Sequence, residues 1–255
     1  METQPVTDEV HQRALPYSTH VSRWGAEDAD YAFLSSYELT SGPTAMTAQC
    51  GFSGNLTVPA SAFALYCSSS NNGDTVDILV TGLDANGDVQ QVQQTLAGQT
   101  KTKVGTTETW LYAHRVEMVG ATPAAGVVWV YEDDTVTAGV PQTQAKKKLA
   151  INLGAGQSTS CCYKLPATKC GVVLAGGVGG QALTGVTSAI KWKKPGEVFK
   201  SAIFPTGLTP GRSEVIFNNL LPPLTEIRLD ASTAGEDTLS GELTLQLFDA
   251  ERATP

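Results

Sequence analysis

Alternation of apolar and polar residues is the main pattern along this chain, and it predicts β-strands. From residue 75 to 81 the apolar residues Val76, Ile78 and Val80 alternate with the polar residues Asp77 and Thr81. A period of two puts one set of side chains on the core face of a strand and the other set on the opposite face. The longest case is 239–248, where Leu239, Gly241, Leu243, Leu245 and Leu247 alternate with polar residues.

Similar runs recur along the chain, separated by turns rich in Gly, Pro and Asn. No window of ~12 residues shows helical periodicity with capping residues, so the chain is predicted to be all-β. Asn86-Gly87 predicts a type I′ hairpin turn within residues 75–96, because both residues tolerate positive φ. Further strands are predicted at 110–119, 126–131, 149–153, 159–164, 169–175, 186–193, 197–204, 214–217, 225–230 and 239–248.

This spacing of strands predicts two consecutive antiparallel β-sandwich or jelly-roll-like domains with an extended N-terminal arm. The predicted arm spans residues 1–30 and the first domain 31–140. A linker is predicted at 141–148, which contains Pro141 and three successive lysines, and the second domain at 149–255.

The arm holds two large aromatic residues, Tyr17 and Trp24, in a segment without usable periodicity. One interpretation is a frayed terminus. The other is an arm that becomes ordered against a neighbouring subunit, with Tyr17 and Trp24 as buried anchors.

Composition narrows the range of partners. The net charge is −8 and only 16% of the residues are charged, so we expect no nucleic-acid partner. No stretch approaches the ~20 apolar residues of a membrane span, and the first residues lack the order of a signal peptide. We therefore expect no membrane partner and expect the protein to be made and folded in a cytoplasm. Five cysteines without metal-ligand spacing are expected to be buried thiols, with a Cys50–Cys67 disulfide as the alternative.

Candidate catalytic and metal-binding patterns are few. Of the three histidines only His114 lies in a predicted strand, and neither Gly-x-Ser-x-Gly nor His-Glu-x-x-His occurs. Residues 84–88 resemble the start of a calcium loop, but the glycine and the distal Glu of an EF-hand are misplaced, which favours a hairpin turn. The glycines at 176–180 lack a following Lys-Ser/Thr pair, and we expect an inter-strand loop or a close approach of backbones. The chain is therefore predicted to have no enzymatic activity, cofactor or metal.

Besides the arm, a basic cluster is a candidate binding site in the sequence. Lys191, Lys193 and Lys194 surround Trp192, and Lys200 follows. Because Lys191 and Lys193 alternate with Trp192, the lysines are expected on one face and Trp192 in the core. This pattern fits a solvated face, a surface that docks on an acidic protein shell, or a nucleic-acid patch.

Several motifs, in a fixed order, resemble a pattern of virion proteins from marine and cyanobacterial tailed phages. In that pattern a Gly-Leu-Asp-Ala-Asn hairpin leads into a Thr-Leu-x-Gly-x-Thr turn and an aromatic-Leu-x-x-x-Arg strand; Tyr-x-Val-Pro-Ala-Gly-Lys and Thr-Asp-Ile-Arg segments follow. The matching segments here are Gly82-Leu83-Asp84-Ala85-Asn86-Gly87, Gln94-Thr95-Leu96-Ala97-Gly98-Gln99-Thr100, Trp110-Leu111-Tyr112-Ala113-His114-Arg115, Tyr163-Lys164-Leu165-Pro166-Ala167-Thr168-Lys169 and Pro223-Leu224-Thr225-Glu226-Ile227-Arg228-Leu229-Asp230-Ala231.

The resemblance spans about residues 50–250 and implies a phage structural protein located in the virion, with no catalytic residues. We expect a capsid decoration (cement) protein that binds the major capsid protein of the head shell. We also expect it to be a homo-oligomer, with a trimer as the first expectation. The alternatives are a tail or neck component and a carbohydrate- or receptor-binding β-sandwich module.

Overall fold

The computed structural model describes residues 30–40, 61–160, 162–180, 187–205, 211–232 and 237–250, and most residues in these ranges lie in β-strands joined by turns and loops. A single 3-10 turn, Gln144–Lys146, is the helical element among them. The predicted all-β fold of antiparallel sheets is therefore confirmed. No helix in this part of the chain is long and apolar enough to span a membrane.

The described ranges contain 18 strands. In chain order they are β1 (Asp30–Thr40), β2 (Leu65–Ser69), β3 (Asp77–Leu83), β4 (Val89–Thr95), β5 (Thr102–Lys103), β6 (Tyr112–Val119), β7 (Val128–Glu132), β8 (Val136–Thr137), β9 (Val140–Pro141), β10 (Lys147–Ile151), β11 (Gln157–Thr159), β12 (Cys162–Lys164), β13 (Lys169–Gly180), β14 (Thr187–Lys193), β15 (Lys200–Pro205), β16 (Gly211–Leu221), β17 (Glu226–Ser232) and β18 (Asp237–Asp249).

Four sheets of four strands organise these elements. Sheet I has the order β10-β7-β2-β5, sheet II β11-β6-β3-β4, sheet III β12-β17-β14-β15 and sheet IV β1-β18-β13-β16, and β8 pairs with β9. All the pairings within them are antiparallel.

Sheets I and II face each other across one hydrophobic core. Leu65 and Val130 of sheet I belong to the same buried cluster as Ile78 and Val116 of sheet II, together with the fully buried Trp110. The predicted alternation in β3 is confirmed, because Ile78 lies at 0% exposure between half-buried neighbours. Packing two sheets with one apolar face each over a shared core is the arrangement of a β-sandwich.

Sheets III and IV are built from the later strands. In β18, Leu243, Leu245 and Leu247 are buried on one face as the alternation predicted. Gln246, on the opposite face of this strand, is buried as well, so the polar side of the alternation is not exposed at this position. The glycines at 176–180 do not form a loop: they lie in β13, which pairs with β16 on one side and β18 on the other. The pairing on both sides agrees with the second expectation for this segment, a close approach of backbones.

Strand pairing does not follow the order of two consecutive units. β1 pairs with β18 at the far end of the chain. β10 and β11, which overlap the predicted linker and second domain, pair with β7 and β6 and thereby complete sheets I and II. The domain limits themselves stay a prediction, but the sheets interleave the two halves of the sequence.

The hairpin between β3 and β4 forms as expected, but its turn is of another type. The Asp84 amide donates to the Asp88 carbonyl at 2.9 Å and the Gly87 amide to the Asp84 carbonyl at 3.1 Å. Gly87 has a φ of 86°, and Asn86 is absent from the described residues with positive φ. A type I′ turn needs positive φ at both positions, so that prediction is wrong. The loop is a three-residue connection with glycine in the left-handed position.

Candidate docking surface

The β14–β15 hairpin presents the lysines that the sequence singled out. Its tip is the tetrapeptide Lys194-Pro195-Gly196-Glu197, closed by a 3.0 Å hydrogen bond from the Glu197 amide to the Lys194 carbonyl. Gly196 has a φ of 76°. Proline second and a left-handed glycine third are the requirements of a type II turn, so the local sequence fixes this tip.

Two apolar side chains stand exposed just after the turn. Val198 is 79% exposed and Phe199 is 38% exposed, although residues 197–204 were predicted as strand. β15 begins only at Lys200, so both residues belong to the tip of the hairpin instead. Phe199 does not stand alone, because the Arg228 guanidinium lies 4.2 Å and the Lys193 ammonium 5.6 Å from its ring centroid. Cations over an aromatic face hold the ring in place and leave its edge available.

Basic side chains from three strands meet beside this ring. In the strand register Lys191 lies opposite Arg228, while Lys193 and Lys164 both lie opposite Glu226. The Lys193 ammonium is 3.6 Å from the Glu226 carboxylate. Burial lowers the pKa of Lys164; Glu226 acts against that shift and Lys193 adds to it. We call Lys164, Lys191, Lys193, Lys194, Val198, Phe199 and Arg228 the hairpin surface.

The opposite face of the same sheet is apolar. Ile190 is fully buried, and Ile227 is 1% exposed. Trp192 lies on this face, opposite Ile227 in the register, but it is half-buried, so its predicted place in the core is only partly reached. The alternation of β14 thus separates basic side chains from apolar ones as the sequence indicated.

Other basic residues of the chain are engaged elsewhere. Lys146 donates to the Asp133 carbonyl at 2.6 Å, Lys147 lies 4.8 Å from the Trp129 ring centroid, and Lys148 pairs with Glu132 at 2.6 Å. This run therefore serves the connection around β10 and adds nothing to the hairpin surface. The predicted arm anchors Tyr17 and Trp24 lie outside the described residues.

The other residues considered for metal binding or reactivity make contacts that stabilise the fold. The Asp84 carboxylate accepts the amides of Asn86 and Asp88 at 2.8 and 2.9 Å, which satisfies the turn itself. Cys67, Cys162 and Cys170 are buried thiols, as expected, and burial raises the pKa of Cys67 to about 12. Over the ranges that the structure covers, no three His, Cys, Asp or Glu side chains could hold a metal ion.

His114 is half-buried at the boundary between sheets II and III. Its ring packs edge-on against Tyr163 of β12, with the centroids 4.9 Å apart, and its Nδ1 is buried without a hydrogen-bond partner. Burial, and secondarily the charge of Arg115, lower its pKa to about 4. The imidazole is therefore neutral at neutral pH and acts as a packing group there.

Most of the motifs that carry the resemblance come together at this same boundary. The Ala167 amide donates to the Gly87 carbonyl at 2.9 Å, and a Cβ on Gly87 would lie 2.7 Å from Leu224. The Tyr112 hydroxyl donates to the Cys162 carbonyl at 2.9 Å. Four segments that are far apart in sequence thus fix the contact between the two pairs of sheets.

Sequence reasoning missed part of the hairpin surface. Lys164, Arg228 and Glu226 join it only because β12, β17 and β14 are neighbours in sheet III. Strand order is set by pairing across long separations, and no local pattern encodes it. The adjacent apolar pair Val198 and Phe199, directly after a Pro-Gly turn, was the one local signal available.

No protein-family model matches this chain, and no curated protein matches it. Structures similar to it include the infectious bursal disease virus Gx strain, with 14% identity, a TM-score of 0.29, and coverage of 89% of this chain and 74% of that chain. The VP2 subviral particle of the same virus has 12% identity and a TM-score of 0.25, and the match covers 88% of this chain and 72% of that chain. TM-scores this low carry no conclusion about the fold or function of this chain.

Proposed function

We propose that this protein is a structural component of a virion, a capsid decoration (cement) protein that docks on the head shell of a tailed phage. The observation that carries the proposal is the hairpin surface. It combines an exposed aromatic residue, an arginine and several lysines on a chain whose net charge is −8. Aromatic residues and arginine are enriched in protein interfaces, and a basic rim favours an acidic partner.

The resemblance supports the same assignment from a different direction. Its motifs lie mainly at the boundary between the sheets, where Gly87, Ala167 and Leu224 are in contact. Motifs of this kind specify how a structural module is assembled, which suits a protein whose role is to present a surface. Lys164 and Arg228 of the hairpin surface lie within these motifs, whereas its β14 lysines and its apolar tip lie outside them and are the part that would differ with the partner.

The test is binding of the full-length protein to heads that lack it, purified from the virus that encodes it. Lys191→Glu/Lys193→Glu should weaken co-sedimentation with heads by at least about tenfold, because charge reversal turns attraction into repulsion. Lys101→Glu/Lys103→Glu makes the same change of charge at Lys103 of β5 and at Lys101 just before it, and this variant should bind like the wild type. Equal binding by all three proteins contradicts the proposed docking surface.

Two further measurements belong to this experiment. Deleting residues 1–29 leaves β1 intact and tests whether Tyr17 and Trp24 anchor an arm, in which case binding to heads falls while the protein stays folded. Copy number in the virion separates the positions: on the order of hundreds fits decoration of a lattice, whereas about six to twelve fits the symmetry of a tail or neck.

A further inference from the structure

One long edge strand lacks the charged residues that the other long edge strands carry. Of the eight outer strands of sheets I–IV, as far as the structure describes them, six carry a charged residue. The two exceptions are β11, which has only three residues, and β4, which has seven. Natural proteins protect exposed edges with charges, proline or short length, because an open edge invites pairing with another strand. β4 has none of these protections.

The sequence of β4 reads nearly the same in both directions. Around Val92 the residues are Val89-Gln90-Gln91 on one side and Gln93-Gln94-Thr95 on the other. Two copies of a strand related by a two-fold axis pair antiparallel, so each residue meets the one at the mirrored position. About Val92, this places Gln91 opposite Gln93, Gln90 opposite Gln94 and Val89 opposite Thr95. Glutamine side-chain amides both donate and accept hydrogen bonds, so two glutamines that lie opposite each other can bond to one another.

The backbone hydrogen-bonding groups of β4 point in the directions that this pairing needs. The Asp84–Asp88 and Val76–Leu96 hydrogen bonds bracket the β3–β4 ladder, in which Val80 lies opposite Val92. Because hydrogen-bonded pairs alternate in an antiparallel ladder, the backbone N–H and C=O groups of the even-numbered residues of β4 bond to β3, and those of residues 89, 91, 93 and 95 point away from β3. In a pairing that is symmetric about Val92, each of these four residues lies opposite another of the four. Their free backbone groups would therefore face each other across the two copies.

We infer that β4 pairs with β4 of a second copy of this chain, antiparallel about a two-fold axis at Val92, and joins two copies of sheet II into one eight-stranded sheet. The second copy is the occupant that the charges favour, since two chains with a net charge of −8 approach with least repulsion along an uncharged edge. A single β4 per chain links copies in pairs. The expected trimer would need another surface. This inference stands or falls independently of the proposed function.

Charge placement tests both the contact and its register by analytical ultracentrifugation of the full-length protein. Gln91→Lys/Gln93→Lys puts lysine opposite lysine twice and should weaken dimerisation by at least about tenfold. Gln91→Lys/Gln93→Glu changes the same two exposed positions but puts lysine opposite glutamate twice, and it should dimerise at least as well as the wild type. Circular dichroism of both variants confirms that they remain folded.

A cysteine pair gives an independent readout. Mixing Gln91→Cys with Gln93→Cys under mild oxidation should give a disulfide-linked dimer, while neither variant alone should cross-link efficiently, because position 91 faces position 93 of the other copy. A chain that covers this edge with a segment of its own would stay monomeric at all concentrations, and that result overturns the proposal. An oligomer that forms equally well with the Lys/Lys variant overturns it too.

Discussion

The sandwich of sheets I and II and the hairpin surface of sheet III use charged side chains in opposite ways. In the sandwich, Asp74 and Asp134 are 6% and 8% exposed and accept hydrogen bonds from neighbouring loops. In the hairpin surface, Lys191, Lys193 and Arg228 share one face beside a partly exposed Phe199. In the first arrangement hydrogen bonds within the fold satisfy each carboxylate, whereas in the second arrangement like charges lie side by side and repel one another.

The contrast teaches how structural charges are told apart from charges available for binding. A buried carboxylate is retained only when hydrogen bonds replace the water that it loses. Like charges placed side by side cost stability in the isolated protein. Glu226, paired with Lys193 at 3.6 Å, offsets repulsion within this group. An acidic partner would add further attraction to these side chains, which is why the proposed function assigns docking to the hairpin surface.

The strongest test of the structural side is the removal of Asp74. Its carboxylate accepts the Ser69 hydroxyl at 2.5 Å and the amides of Ala125 and Gly126 at 2.9 and 3.0 Å. Burial alone would raise the pKa of Asp74, but these hydrogen bonds outweigh it and lower the pKa. Asp74→Ala takes the acceptor from two buried donors, the Ser69 hydroxyl and the Gly126 amide, and from the part-buried Ala125 amide. We therefore expect the free energy of unfolding to fall by about 3 kcal/mol or more.

Chemical denaturation measures this loss, and an exposed aspartate provides the control. Asp133 pairs with Lys101 at 2.6 Å, but its side chain is 70% exposed. Asp133→Ala should therefore change the free energy of unfolding by no more than about 1 kcal/mol. Similar losses for the two variants would show that burial does not separate these two kinds of charge.

The boundary between sheets II and III gives a test with a pH window. The folded pKa of His114 is about 4, below its ordinary value of 6.5, so the unfolded chain takes up a proton first as the pH falls. Stability from the neutral imidazole is complete above about pH 6.5 and is lost as the pH falls towards 4, by about 2 kcal/mol or more. Asp74 and Asp134, whose pKa values are lowered, contribute their own loss only below about pH 4.

His114→Gln separates these contributions because glutamine does not titrate. We expect the unfolding free energy of this variant to stay nearly level between pH 6.5 and 4, whereas that of the wild type declines. Both proteins keep the other two histidines, so only the contribution of position 114 differs. Parallel pH profiles for the two proteins would contradict a neutral, buried imidazole at this boundary.

Much of the fold could be predicted because a strand leaves a local pattern of alternating residues in the sequence. Alternation located β3, β14 and β18 within a few residues of their observed limits. Sequence patterns failed where the outcome depends on distant partners. Nothing local indicates that β1 pairs with β18, and the glycines of β13 suggest a loop until β16 and β18 are seen on either side of it.

The candidate site could be predicted in part for the same reason. Lys191 and Lys193 share a face through the period of a single strand, and that follows from the sequence. Arg228 approaches Phe199 only through the pairing of β14 with β17. The exposure of Phe199 depends on where β15 begins, and strand ends are set by a balance of turn geometry and pairing that composition does not resolve.

The smallest expected effect concerns the exposed apolar residue at the hairpin tip. Val198 is 79% exposed, whereas Val128 in β7 is fully buried in the core of the sandwich. Val128→Ala removes buried methyl groups and leaves a cavity, so we expect a loss of about 2 kcal/mol in the free energy of unfolding. Val198→Ala removes the same atoms from a site already in water and should change that free energy by less than about 0.5 kcal/mol.

If Val198 instead contributes to binding, Val198→Ala will weaken co-sedimentation with heads while its unfolding curve overlays that of the wild type. A stability loss comparable to that of Val128→Ala would mean that the tip belongs to the core, and its exposure could no longer support a docking role.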